Sequence, residues 1–397
     1  MIPDPDRVAR IHATLDEAAA DAALTADERR LRDRVREVVR REVAPRAREL
    51  DEHGRFAHES YQALARAGLA GLLFPAELGG CGSSTVGYAV AMEEIAAACG
   101  ATSLVYMTQT HAAYPITLAG APELVRRWVP ALCSGAAYGS LAITEPGAGS
   151  DVSSLRTTAR RDGDAYVLDG SKTFITTGDR ADVAVVFAST DRSAGRGAVS
   201  AFVVEGTAAG LTRGQPLEKL GMHGSSTAEL FLDGVRVPAC ARLGAEGEGW
   251  SIVMRSVVKS RVSAAAQGVG LARGAYTHAV AALGPAVDPA TAARLAGLRA
   301  RLLQGRLLLH ATARAIDAAP DDPLTADVAM MKLACTDLGT EVALACTDLL
   351  GPLGDLWDVG VERHVRDAKV TSIYDGTNEI QRLLIGRDTR RRVEGAG

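Results

Sequence analysis

Between residues 25 and 49, Leu31, Val35, Val38, Val39 and Val43 recur at helical spacing among Arg and Glu. That spacing predicts one amphipathic helix with a solvated charged face. Thr25 followed by Glu28 has the form of a capping box at its start. Helical periodicity continues through SYQALARAGLAGLL, GYAVAMEEIAAACG and PELVRRWVPAL. The pattern then changes to short β-branched or alternating runs punctuated by Gly and Asp: DAYVLDGSKTFITTG, ADVAVVFAST, AVSAFVVEG and TAELFLDGVRVP. Their connections are mostly too short to hold crossover helices, so an antiparallel sheet is expected. From Gly249 helical spacing returns and holds almost to the end. The order α, β, α predicts an α+β chain with helical residues 1–140, a β-domain over 141–240 and a helical unit over 241–397.

The 397 residues suffice for several packed units around a large core. The first helix looks basic, but Asp33, Glu37 and Glu42 cancel much of its charge, and the formal net charge is −4. Neither a nucleic-acid partner nor an anionic membrane surface is therefore expected. Six cysteines show no CxxC pair and no His at metal-ligand spacing. They are expected to be buried thiols of a reducing compartment, with no metal site. No apolar run reaches the roughly 18 residues of a membrane span, and the opening MIPDPDRV is unlike a signal peptide. A cytoplasmic protein is expected.

GVGLARG (268–274) has glycines at dinucleotide-loop spacing, but it follows a helical run and no strand precedes it. Close helix–helix packing is the better explanation. LAITEPGAGSD (141–151) places Thr144, Ser150 and bare glycine amides around a turn after a hydrophobic run. Such a loop can approach a flat polar ligand closely, and it can equally be an ordinary Gly-Pro turn. In KTFITTG (172–178), Phe174 and Thr176 alternate along a strand and share one face. An aromatic beside a hydroxyl suits a heteroaromatic ring; alone, the run also reads as a half-buried strand.

Taken together, AITEPGAGSD, DGSKTFITTG, KLGMHGSSTAELFLDGVRVP (219–238), EGEGW (246–250) and RDAKVTSIYDGTNEIQRLLIGRD (366–388) resemble the acyl-CoA dehydrogenase family, in its order and over nearly the whole chain. The resemblance implies an N-terminal helical domain, a central antiparallel β-domain and a C-terminal four-helix bundle, with FAD between the last two. It implies that Thr144 bonds the flavin pyrimidine edge, Thr176 sits at N5, Phe174 packs beside the ring, Ser150 lies along the ligand or pyrophosphate path, and Thr377 faces the dinucleotide. Ser150, Arg261, Tyr374 and Gly376 fall on the acyl-thioester side. The implied reaction is α,β-dehydrogenation, with a carboxylate removing the α-proton while the β-hydrogen leaves as hydride to N5. At the base position, where the family usually has Glu, this chain has Asp375.

Three departures stand out. Asp is one methylene shorter than Glu, about 1.5 Å at full extension, and a misplacement of that order can cost about 100-fold. The alternative base slot beside Arg261 holds Ser260, so Asp375 is the base candidate. Second, the family's RxxFG…Q segment is missing, with only GPAVDPAT between two helical runs. Third, GPLGDLW (351–357) stands where GGYGY is usual, and Pro352 lacks an amide donor. Both losses fall on an intersubunit FAD contact, so a homodimer or homotetramer holding the adenylate end differently is expected. His223 replaces a common Arg and is expected to be a loop residue without a catalytic part. Arg366 and Asp367 are expected to form an internal ion pair or a helix-end element. Met107 and Tyr114, on the helix that usually lines the acyl pocket, suggest a short acyl group.

The expected function is an FAD-dependent dehydrogenase of an acyl thioester, carried by CoA or an acyl carrier protein, with an electron-transfer flavoprotein as possible acceptor. Family-level analogy adds secondary metabolism, including polyketide biosynthesis. Two other readings stand beside it. One is a flavin oxidase or monooxygenase of the same fold acting on a nitroalkane or other carbon acid; the other is a non-catalytic scaffold that binds carrier proteins.

Overall fold

The computed structural model describes residues 4–191, 193–320, 322 and 325–395; the first three residues of the opening MIPDPDRV lie outside them. Its helices are α1 (Pro5–Thr14), α2 (Ala18–Ala22), α3 (Ala26–Val38), α4 (Ala47–His53), α5 (His58–Arg66), α6 (Thr85–Ala98), α7 (Gly100–Ala119), α8 (Pro122–Cys133), α9 (Gly249–Leu283), α10 (Pro289–Ala318), α11 (Thr325–Leu350), α12 (Val361–Ala368) and α13 (Asn378–Glu394). Thr25 and Glu28 form the expected capping box, with Thr25 N donating to Glu28 Oε2 (2.8 Å) and Glu28 N to Thr25 Oγ1 (3.2 Å). The single helix expected over 25–49 is interrupted. A π turn at Val39–Val43 and a 3-10 turn at Ala44–Arg46 separate α3 from α4. Pro45 cannot donate to an upstream carbonyl, and the wider turn before it absorbs that lost bond.

Strands β1 (Gly139–Ala142), β2 (Thr158–Asp162), β3 (Ala165–Thr176), β4 (Val183–Ser189), β5 (Val199–Glu205), β6 (Leu211–Arg213), β7 (Thr227–Pro238) and β8 (Arg242–Leu243) form one sheet. They run in the order β6-β7-β3-β2-β4-β5-β8, with β1 beside β4. Most pairs are antiparallel, as expected. The exceptions are β1, parallel to β4 with β2 and β3 in the connection between them, and a single parallel bridge between β2 and β4. Strands β4 and β5 are buried on both faces. Val183, Val185, Phe187 and Val203 meet Ile116, Trp128 and Leu132 of α7 and α8. The alternate residues Val186, Phe202 and Val204 meet Tyr166 and Leu230.

The C-terminal helices pack around α9, which contacts α6, α7, α10 and α11. GVGLARG lies inside α9 as expected. A Cβ on Gly268 would collide with the Cys335 backbone of α11, and one on Gly270 or Gly274 with carbonyls of α6. Those three glycines let the helix axes approach, and no nucleotide loop forms. Four cysteines are buried, whereas Cys81 and Cys240 are exposed because each lies in a surface connection rather than a core helix. No described helix is long and apolar enough to cross a membrane.

Candidate active site

The loop carrying Asp375 is held at both ends. Helix α12 and the 3-10 turn Lys369–Ser372 deliver Ile373–Thr377. Thr377 then caps α13, its hydroxyl accepting from Ile380 N at 3.3 Å. Asp375 and Gly376 are both left-handed, with φ of 54° and 85°. Asp tolerates this region better than most side chains. At Gly376 a Cβ would lie 2.8 Å from Gln381 Nε2 and 3.5 Å from Arg261 Nη2. Gln381 Nε2 donates to the Gly376 carbonyl at 2.8 Å. The Asp375 amide donates to no protein acceptor among the described residues.

This geometry turns the Asp375 carboxylate inward. Oδ2 is sealed from solvent without a hydrogen-bond partner, as are Arg261 Nε and the Tyr374 hydroxyl. Burial raises the Asp375 pKa above its ordinary value, opposed by His111, Lys332, the Ser260 hydroxyl and Arg261. Burial also lowers Arg261 to about 10 and Lys332 to about 8. Lys332, on α11, donates to Asn378 Oδ1 at 2.8 Å, and Asn378 Nδ2 donates to Asp337 Oδ1 at 2.7 Å. The base candidate thus stands among cations that do not form a direct salt bridge with it, the condition under which a carboxylate stays basic.

On the sheet side, a bulge in β3 shifts the register against β7 between Lys172 and Ile175. Phe174 adopts φ 56° within it and is 67 % exposed. Phe174 and Thr176 both point away from the core, as the alternation predicted, though the strand between is irregular. Thr173 N donates to the Thr144 carbonyl at 2.9 Å, placing the TEPGAGSD loop against this edge. A pair that the sequence reading missed fixes the loop from below. Lys172 Nζ donates to Glu145 Oε1 (2.8 Å) and to the Ile143 carbonyl (3.0 Å), and Glu145 also accepts from the amides of Arg156 and Thr157 (2.7 and 3.0 Å). Ser150 is exposed on the loop's outer arm.

Helix α7 joins the two halves. Gln109 Oε1 accepts from Gly139 N at 2.7 Å, and the Gly139 carbonyl accepts from Thr177 Oγ1 at 2.6 Å. Two residues further along, His111 stands in the field of Asp375. Neither His111 nor Lys332 was visible in the sequence as a site residue, since each is an isolated residue in an apolar helix. Their only signal was a charged or titratable side chain within an otherwise buried helical stretch.

Arg366 and Asp367 stand in the last turn of α12, the helix-end alternative, and do not pair with each other: Arg366 meets Asp51 (2.9 Å) and Glu362 (2.6 Å), while Asp367 accepts from Met222 N (2.5 Å). Adjacent helix positions point apart, so each finds its own partner. Met107 is buried in the helical core, and Tyr114 is half-buried. His223 is a loop residue as expected, its ring nitrogens bonded to the carbonyls of Asp51 (3.0 Å) and Lys219 (2.8 Å).

An exposed aromatic edge with a threonine beside it, a bare glycine loop and a desolvated carboxylate together suit an isoalloxazine ring with a carbon acid against it, which defines a flavin-dependent dehydrogenase. Matches to known proteins carry the identification further. Residues 25–136, 140–235 and 247–389 match the N-terminal, middle and C-terminal domains of acyl-CoA dehydrogenase. The chain is 38% identical over 382 residues to cyclohex-1-ene-1-carbonyl-CoA dehydrogenase of Geobacter metallireducens, covering 92% of this chain and 98% of that one. Among solved structures it resembles a glutaryl-CoA dehydrogenase from Mycobacterium smegmatis in complex with FADH2 (30% identity, TM-score 0.87, 93% and 96% covered). It also resembles the prolyl acyl carrier protein oxidase AnaB (27%, TM-score 0.87, 92% and 99% covered). The chain belongs to the acyl-CoA dehydrogenase family, and is an FAD-dependent oxidoreductase acting on CH–CH donors.

Proposed function

We propose that the protein dehydrogenates an acyl thioester at its α,β-bond, with Asp375 as the base that removes the α-proton. The observation that carries this reading is the sealed, unpartnered Oδ2 of Asp375 beside Arg261. FAD, when bound, supplies the hydride acceptor. Thr144, Phe174 and Thr176 would hold its ring, and Ser150 and Thr377 its more polar parts. Tyr374, Gly376 and Arg261 would wall the thioester, and the free Asp375 amide would donate to the thioester carbonyl as negative charge develops there. Removal of water around Asp375 keeps the carboxylate reactive at neutral pH.

The family resemblance supports CoA as carrier, and the likeness to AnaB supports an acyl carrier protein and an oxidase as second readings. The proposed acceptor is an electron-transfer flavoprotein. Leu344, Leu353, Leu356 and Trp357, each close to half exposed near the end of α11, support a homo-oligomer that covers them. Anaerobic flavin bleaching with a panel of acyl-CoAs and acyl carrier proteins tests the reading. Bleaching by at least one thioester is expected, followed by rapid reoxidation by electron-transfer flavoprotein and slow reoxidation by oxygen. Rapid reoxidation by oxygen would favour the oxidase, and bleaching only by a nitroalkane would replace the thioester reading.

A further inference from the structure

In a regular strand alternate residues share a face. Lys172 on β3 is fully buried, so Phe174 and Thr176 belong by parity on its buried side. They stand on the other one. Thr173, Ile175 and Thr177 are buried in their place, while Phe174 is exposed and Thr176 partly so. The bulge between Lys172 and Ile175 supplies the extra residue that inverts the alternation. Its backbone is not relaxed. Phe174 and Thr177 are left-handed residues other than glycine, with φ of 56° and 58°. Bulky and β-branched side chains disfavour that region, which persists only where the surroundings over-determine it.

The surroundings that do so hold the bulge at both ends to one stretch of chain. Ahead of it, Lys172 Nζ donates to the Ile143 carbonyl (3.0 Å) and to Glu145 Oε1 (2.8 Å), and Thr173 N donates to the Thr144 carbonyl (2.9 Å). Residues 143, 144 and 145 are thus each bound to Lys172 or its neighbour. Behind it, Thr177 Oγ1 donates to the Gly139 carbonyl (2.6 Å) and Thr177 N to the Ser226 carbonyl (3.0 Å). Between these two points runs β1, itself paired with β4. Glu145 is fixed independently by the amides of Arg156 and Thr157. Lys172 cannot turn outward without leaving that carboxylate buried and without its cation, a costly exchange. The ion pair therefore decides which way Lys172 faces, and the bulge follows from it.

We infer that Lys172 and Glu145 are positioning residues: their buried pair imposes the β3 bulge and so aims Phe174 and Thr176 at the flavin before FAD binds. The inference rests on the reading above in which those two residues hold the flavin ring. Lys172→Met keeps the length of the side chain and removes its donors. In the full-length protein stripped of FAD and titrated with it, this variant should bind FAD about 10-fold more weakly or worse, as expected where the bulge forms in only about a tenth of the molecules. Amide hydrogen exchange over residues 173–177 should quicken while β4 and β5 keep their wild-type protection, a local change that general destabilisation does not give. Unchanged FAD affinity, or exchange that quickens equally across the sheet, overturns the inference. If Lys172→Met fails to fold, the wild-type protein decides. Stripped of FAD, it should protect residues 173–177 as well as the loaded protein does; protection that appears only with FAD means that the flavin shapes the bulge, and the inference falls. Phe174→Ala, which leaves the pair in place, separates the two levels. Weaker FAD binding in Phe174→Ala with none in Lys172→Met rejects the positioning role alone, whereas unchanged binding in Phe174→Ala rejects the ring-holding reading and the inference with it.

Discussion

Two buried clusters of charge in this molecule are built on opposite plans. Where α1, α3, α6, α9 and α10 meet, Glu93, Glu94 and Asp16 face Arg36, Arg273 and Arg306. Arg36 reaches Asp16 (2.5 Å) and Glu94 (2.7 Å), Arg306 reaches Glu93 (2.9 Å), and Arg273 touches all three acids. Each carboxylate meets at least one guanidinium, and the cations lower Glu93 and Glu94 against the effect of burial. Around Asp375 there are also cations nearby, but among the described residues none forms an ion pair with it and the carboxylate shifts upward; unpartnered buried atoms occur in both clusters, Glu93 Oε2, Arg36 Nε and Arg306 Nε in the first and Asp375 Oδ2 and Arg261 Nε in the second. The first cluster locks helices together. The second leaves a buried carboxylate without an ion pair, as the proposed base role requires, so ion pairing rather than burial separates the two clusters.

Breaking each cluster should give opposite signatures. Asp375→Asn should slow flavin reduction by about 100- to 10,000-fold, leave FAD bound, and leave the melting temperature unchanged or higher, because it removes an unpaired buried charge. Stopped-flow reduction and thermal melts on the same sample check both halves. Arg273→Met should do the reverse. Taking from Glu93 and Glu94 the guanidinium they share, with Arg306 and Arg36 still in place, should cost up to about 3–5 kcal/mol, seen in denaturant unfolding, while the reduction rate per folded molecule is retained.

The pH dependence sharpens the contrast. Asp375 must be ionised to act, and its pKa is raised, so flavin reduction should fall as pH drops, beginning above the ordinary carboxylate range. Stability should follow a different group. His278, packed against His364 with Arg363 and His12 nearby, is lowered to about 4 by burial. Its folded pKa lies below the unfolded one, so stability is present above about pH 6.5 and lost as pH falls towards 4, by up to about 3 kcal/mol. His278→Gln should flatten that acid limb in pH-dependent melts. The smallest expected effect is local: Thr25→Ala removes the capping box of α3 and should cost about 1 kcal/mol by denaturant melt.

Much of the frame was legible in the chain. The change from helical to alternating periodicity marks the sheet, the capping box stands where Thr25 and Glu28 put it, and GVGLARG packs helices. The loop motifs around Thr144 and Asp375 could be read because they are contiguous. His111, Lys332 and the Glu145–Lys172 pair could not, since each acquires meaning only from partners that tertiary packing brings to it. The break in the first helix was concealed because the apolar spacing continues across Pro45, and periodicity does not register a missing amide. Arg366 and Asp367 were half legible: they end α12 as a helix-end element would, but proximity in sequence also suggested a pair, while the helix sends the two side chains in different directions.

Helix α7 holds the sheet edge through Gln109 and stands beside the base through His111, two residues or about 3 Å of rise apart. On the proposed reading, the gap between hydride acceptor and proton acceptor would be gauged by a stiff rod and not by the loops on either side. Exchange of loop sequences, in evolution or in the laboratory, could thus alter what enters the site while the spacing of the reacting atoms stays in tolerance. A bend in that one rod would detune both ends together.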